Sequence, residues 1–138
     1  MLRLVDRNEY YVLYQDESCS LLFAQRTPLR FSRIDEIQAC FEEVERKFWH
    51  IPRDRYALLV DVRKGPARND EDFEHAIAQH RGKLLFGFAH NAALVSTPAG
   101  RLQVQRYAKT DARDVLVTHD AVEAFAYLGL PNHPLPSI

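Results

Sequence analysis

No apolar run in this chain approaches the roughly 20 residues that a helix needs to cross a bilayer. The opening stretch, MLRLVDRNEYYVLYQDE, meets charge at Arg3 and again at Asp6, so it holds no continuous apolar segment of the secretory kind. Cysteine is scarce: Cys19 and Cys40 are the whole complement and stand at no metal-ligand spacing. A chain of 138 residues does not need a disulfide staple, so reduced thiols and a cytoplasmic location are the expectation. Charge of one sign is missing too. A net charge of −1 offers no global field to recruit nucleic acid or an anionic membrane. No internal repeat, low-complexity tract or long linker divides the sequence. The expectation is one domain over residues 1–138, with a core from about 9 to 129 and a Pro-rich, frayed tail at 130–138.

What is present is ordinary for a globular protein, with 46% hydrophobic and 27% charged residues. A domain of this length buries about two-thirds of its unfolded surface. The stretch that organises the rest is residues 56–72, YALLVDVRKGPARNDED. Its apolar run at 57–62 suits a strand covered on both faces, followed by a charged loop at 63–68 and a helix start near Asp70.

Upstream, residues 9–15 and 18–27 read as an antiparallel hairpin broken by Asp16 and Glu17, with Cys19, Leu21 and Phe23 alternating on one face. Ser32 with Asp35 suggests a weak capping box. Ile34, Ile37, Phe41, Val44 and Phe48 then recur at spacings of three and four, one stripe of an amphipathic helix that Ile51-Pro52 ends. Downstream of the central strand, Asp70, Glu71, Asp72 and Glu74 suit the positive end of a second helix, with Phe73, Ile77, His80 and Leu84 as its stripe. A short strand at 92–96 stops at Thr97-Pro98-Ala99-Gly100. A third helix at 101–109 has Leu102, Tyr107 and Ala108 as inward candidates. A final strand at 114–118 leads to a helix opened by Asp120 and Glu123 and lined by Ala121, Phe125 and Leu128, which Gly129 and Pro131 close. The expected fold is α/β: a mainly parallel sheet with an antiparallel N-terminal hairpin at one edge and about four helices.

Residues 92–107, AALVSTPAGRLQVQRY, followed by residues 114–129, DVLVTHDAVEAFAYLG, carry a resemblance to the STAS-like family. This is the fold of the anti-sigma-factor antagonists, and the likeness is closest to its bacterial STAS/SEC14-like branch. The shared pattern is a strand, a Gly-Arg-hydrophobic-Gln helix ending in Arg-Tyr, and an Ala-rich closing helix ending in Leu-Gly. It spans residues 9–129. The resemblance implies a regulatory interaction module. Antagonists of this type carry a phosphorylatable Ser or Thr at the start of the helix after the central strand, where a phosphate rests on the helix N-terminus. Here residues 61–80 contain no Ser or Thr, and Asn69, Asp70 and Glu71 stand in that place. A phospho-switch of that kind is not expected.

Arg63, Lys64 and Arg68 flank Gly65-Pro66 at the carboxyl end of the central strand, where open α/β folds bind ligands. With Asp61, Asn69 and Asp70 they form the candidate surface for a protein partner or an anion. The plainer alternative, and the favoured one for the cations alone, is a solvated turn in which they pair with Asp70, Glu71 and Asp72. Asp61 lacks an evident acid, base or metal partner at catalytic spacing. His75 and His80 are five apart, on different helix faces, and no zinc motif is present; His80 reads as a hydrogen-bonded, partly buried ring. Ser96 and Thr97 follow a strand but lack the Gly-x-Ser-x-Gly elbow, and Cys19 and Cys40 read as small core residues on a strand and a helix.

No catalytic residue, metal or cofactor is assigned. The reading is a non-catalytic protein-interaction module with an unidentified protein partner or a second copy of the chain, and with no nucleic acid or membrane span. The alternative is a small carrier of an apolar, lipid-like molecule, its pocket lined by Leu84, Leu85, Phe86 and Phe88 beside Phe48 and Trp49.

Overall fold

The computed structural model describes residues 1–66 and 70–137. Six strands, β1 (Arg3–Arg7), β2 (Tyr11–Asp16), β3 (Leu21–Arg26), β4 (Ala57–Asp61), β5 (His90–Leu94) and β6 (Leu116–Thr118), lie in one sheet in sequence order. β1, β2 and β3 pair antiparallel and β3 to β6 pair parallel. Four helices, α1 (Ile34–Phe48), α2 (Glu71–Leu85), α3 (Pro98–Thr110) and α4 (Ala121–Leu128), complete the expected α/β fold.

Sequential strand order with right-handed crossovers puts the connecting helices on one face of the sheet. The packing agrees. Leu22, Ala24 and Leu58 pack with Ile37, Cys40, Val44 and Phe48 of α1 and with Ile77 and Leu84 of α2, and Tyr107 of α3 joins their margin. The opposite face, Leu21, Phe23, Ala57, Leu59, Ala92 and Leu94, is covered by Ala124, Phe125 and Leu128 of α4. Alternate residues of β3 and β4 serve opposite layers, which is why both strands are almost wholly apolar.

Several expectations need correction. β1 precedes the expected hairpin, so the antiparallel edge has three strands. Cys19 lies on the turn between β2 and β3 and not on a strand, while Cys40 is buried in α1. The N-cap of α1 is Arg33 without a side-chain bond, and Ser32 Oγ donates to Glu36 in place of a capping box. β5 begins two residues before the expected strand, at His90, and α3 begins three before the expected helix, with Pro98 in its first turn and Thr97 Oγ1 accepting from Gly100 N at 2.9 Å. Leu102 is 67% exposed, not inward.

The tail is not frayed. Gly129 closes α4 in the left-handed conformation, and the chain returns along the α4 face of the sheet. Leu130 and Leu135 pack against that core layer, and the Pro136 carbonyl accepts from Gln25 Nε2 at 2.8 Å. No helix among the described residues is long and apolar enough to cross a membrane.

Candidate functional site

β4 ends at Asp61, whose carboxylate is 2% exposed. A buried carboxylate must be paired or bonded, and Asp61 is both. Arg63 closes on it bidentately, Nε to Oδ1 at 2.9 Å and Nη2 to Oδ2 at 2.9 Å, while the Arg63 backbone N–H reaches Oδ1 at 3.0 Å. The bond to Asp61 in turn holds the Arg63 guanidinium above its ordinary pKa. The expected pairing of Arg63 with Asp70, Glu71 or Asp72 is replaced by this closer partner, because the turn after β4 folds the arginine back over the strand end.

The loop beyond is tied down at further points. Val62 N donates to Leu94 O at 3.0 Å, Gly65 N to Val62 O at 3.1 Å, and Ser96 Oγ to Arg63 O at 3.1 Å. Ser96, weighed as a nucleophile, thus holds the loop. Gly65 rests on Arg26 so closely that a Cβ there would meet Arg26 Cγ at 2.8 Å. Arg26 is itself fixed: its guanidinium stacks 4.6 Å from the Phe31 ring centre, lies over Tyr10 and Tyr11, and donates to Thr27 O at 2.7 Å. Burial lowers its pKa.

Against this anchored base, Lys64 is exposed. Asp70 is the N-cap of α2, its carboxylate accepting from Phe73 N at 2.9 Å. Arg68 and Asn69 lie outside the described residues. The structure therefore joins Asp61 and Arg63 directly and leaves Lys64 and Asp70 exposed on either side of residues 67–69 in sequence. Two concavities adjoin α3, and one of them also adjoins α2. One, about 390 Å³, is bounded by Ser96, Thr97, Arg101, Leu102 and His119 beside the loop. The other, about 810 Å³, runs between the two helices past Glu71, His75, Arg106 and Tyr107.

Sequence reasoning passed over Arg26 and Gln25, both buried polar ends of β3. Polar residues closing an otherwise apolar strand were the available signal. His80 is found as expected, buried, with Nδ1 2.9 Å from Glu45 and its ring stacked on Phe41. Of the residues proposed for an apolar pocket, Phe48, Leu84 and Phe88 are packed into the core, with Phe48 and Phe88 edge to face, whereas Trp49 and Phe86 are 79% and 67% exposed. No protein-family model, curated protein or solved structure matches the chain.

Proposed function

We propose that this chain is a STAS-like, non-catalytic protein-interaction module that docks its partner on the loop after β4 and the first turn of α2. The observation that carries the reading is the anchoring of that loop. A buried ion pair, a serine hydroxyl and a caged arginine fix its first residues, while Lys64, Asp70 and Glu71 are exposed. Anchoring at Val62, Arg63 and Gly65 before binding reduces the entropy lost on docking there, and the exposed charges steer the encounter and select the partner. Asp61 is saturated by Arg63, which suits a structural pin and leaves it poorly placed to take a proton from a substrate. With no Ser or Thr in residues 61–80, a phosphorylation switch at the α2 start is not part of this reading.

The test is native mass spectrometry of the chain purified gently from its own host. The expected species is a complex with a protein or a second copy of the chain. A small apolar molecule retained one to one, without a protein partner, overturns the reading and favours the carrier.

A further inference from the structure

At the opposite end of the sheet from the loop, the β2–β3 turn meets the returning tail. Asp16, Cys19 and His133 place one carboxylate oxygen, one sulfur and one ring nitrogen all within 4.8 Å of one another. Cys19 Sγ lies 3.6 Å from His133 Nε2, and Asp16 Oδ2 lies 3.9 Å from the same nitrogen. Zinc–sulfur and zinc–nitrogen bonds of about 2.3 and 2.0 Å at a tetrahedral angle put the two donor atoms about 3.5 Å apart. We propose that Asp16, Cys19 and His133 form a zinc-class metal site that staples the tail to the β2–β3 turn.

The surroundings are arranged as for ligands. Asp16 is 2% exposed, and its Oδ1 is occupied by Ser18 N at 3.0 Å and Ser18 Oγ at 2.5 Å, which orients Oδ2 toward the other two donors. Oδ2 already receives a cation, the Met1 amine at 2.7 Å, a contact that a metal ion replaces or joins. The His133 ring leans on Phe125, centroids 5.4 Å apart, so its nitrogen is held by core packing and not by a loose tail. A thiolate, an imidazole and a carboxylate together are a borderline-soft set that favours Zn²⁺ over Mg²⁺ or Ca²⁺. Three protein donors leave a fourth position for water or the amine. Binding forms the Cys19 S–metal bond and releases the thiol proton to solvent, with no change of oxidation state. The site is independent of the docking surface.

The experiment is a Co²⁺ titration of the full chain, followed by displacement with Zn²⁺. One equivalent should bind with a near-ultraviolet thiolate-to-cobalt band and tetrahedral visible bands, both erased by Zn²⁺. Cys19→Ser should abolish the thiolate band. His133→Asn should weaken Zn²⁺ binding at least about tenfold and remove the rise in Tm that Zn²⁺ gives the unaltered chain. Co²⁺ bound without a thiolate band overturns the proposal even if neither variant folds. So does Zn²⁺ affinity indifferent to His133→Asn, which assigns the metal to exposed histidines such as His50 and His90.

Discussion

Asp61 and Arg63 stand two residues apart, yet their pairing determines how the most charged loop of the chain is held. Removing one partner of a buried pair leaves the other desolvated and uncompensated. Because the Arg63 side chain is 33% exposed, water relieves part of that cost, and Arg63→Ala should destabilise the fold by about 1–3 kcal/mol in urea unfolding. Lysine cannot reproduce the two-pronged geometry, so Arg63→Lys should recover only part of the loss. Lys64→Ala, one residue away on an exposed side chain, should stay within about 0.5 kcal/mol of the unaltered protein. Equal effects at the two positions would deny the pair its structural role. Neighbouring Arg63, Lys64 and Arg68 are chemically alike in sequence, and only the backward fold of the turn separates the pinned arginine from the free lysine.

The helices are tied to one another as well as to the sheet. Arg81 of α2 grips Asp111, just beyond α3, through Nε at 2.7 Å and Nη2 at 3.1 Å, both side chains mostly buried, and its guanidinium lies over Tyr107 at 4.2 Å. The Arg81 bond holds the Asp111 carboxyl below its ordinary range. A depressed folded pKa contributes stability above the unfolded value of about 4, and that contribution is lost as pH falls through the folded value. Asp111→Asn should therefore cost about 1 kcal/mol at neutral pH and flatten the acid limb of the stability curve. An acid limb as steep as in the unaltered chain would locate the titration elsewhere. At this scale the sequence was most legible where periodicity was strong. Ile37, Val44 and Phe48 of the α1 stripe are buried as expected, although its first member, Ile34, is 41% exposed, and β4 with its apolar run is found within a residue of expectation. It was least legible at β1, an edge strand with three charges in RLVDR, where only one face meets protein and the alternation is faint. Leu102 misled because helix periodicity marks a face without saying whether anything covers it. α3 sits at the margin of the sheet, beside the short β6, and buries only Ala108.

Across the whole molecule the least foreseeable feature is the tail. Pro131, Pro134 and Pro136 read as a segment that cannot enter a helix or sheet ladder, and that much is right. An extended segment can still bury side chains and accept hydrogen bonds, and this one packs Leu130 and Leu135 against the α4-side core layer and accepts from Gln25 Nε2 through the Pro136 carbonyl. The contacts join residues more than a hundred positions apart, as in Cys19 with His133, which no local pattern reveals. Deleting residues 130–138 should uncover part of that layer, strip the buried Gln25 amide of the closer of its two acceptors and cost about 2–4 kcal/mol, measured by urea unfolding in the presence of chelator. Unchanged stability would mean that the tail is an ornament.

The loop after β4 lies at the other end of the sheet from the tail's His133, and the functional account rests on it. Lys64→Glu reverses its exposed charge while sparing the Asp61–Arg63 anchor, and Lys109→Glu at the far end of α3 is the matched control. The decisive measurement is native mass spectrometry of the complex isolated from the host, made in parallel on both variants and the unaltered chain. Partner mass retained with Lys109→Glu and lost with Lys64→Glu is the predicted result. A complex indifferent to Lys64→Glu, or a chain that carries no protein at all, would contradict the docking surface proposed.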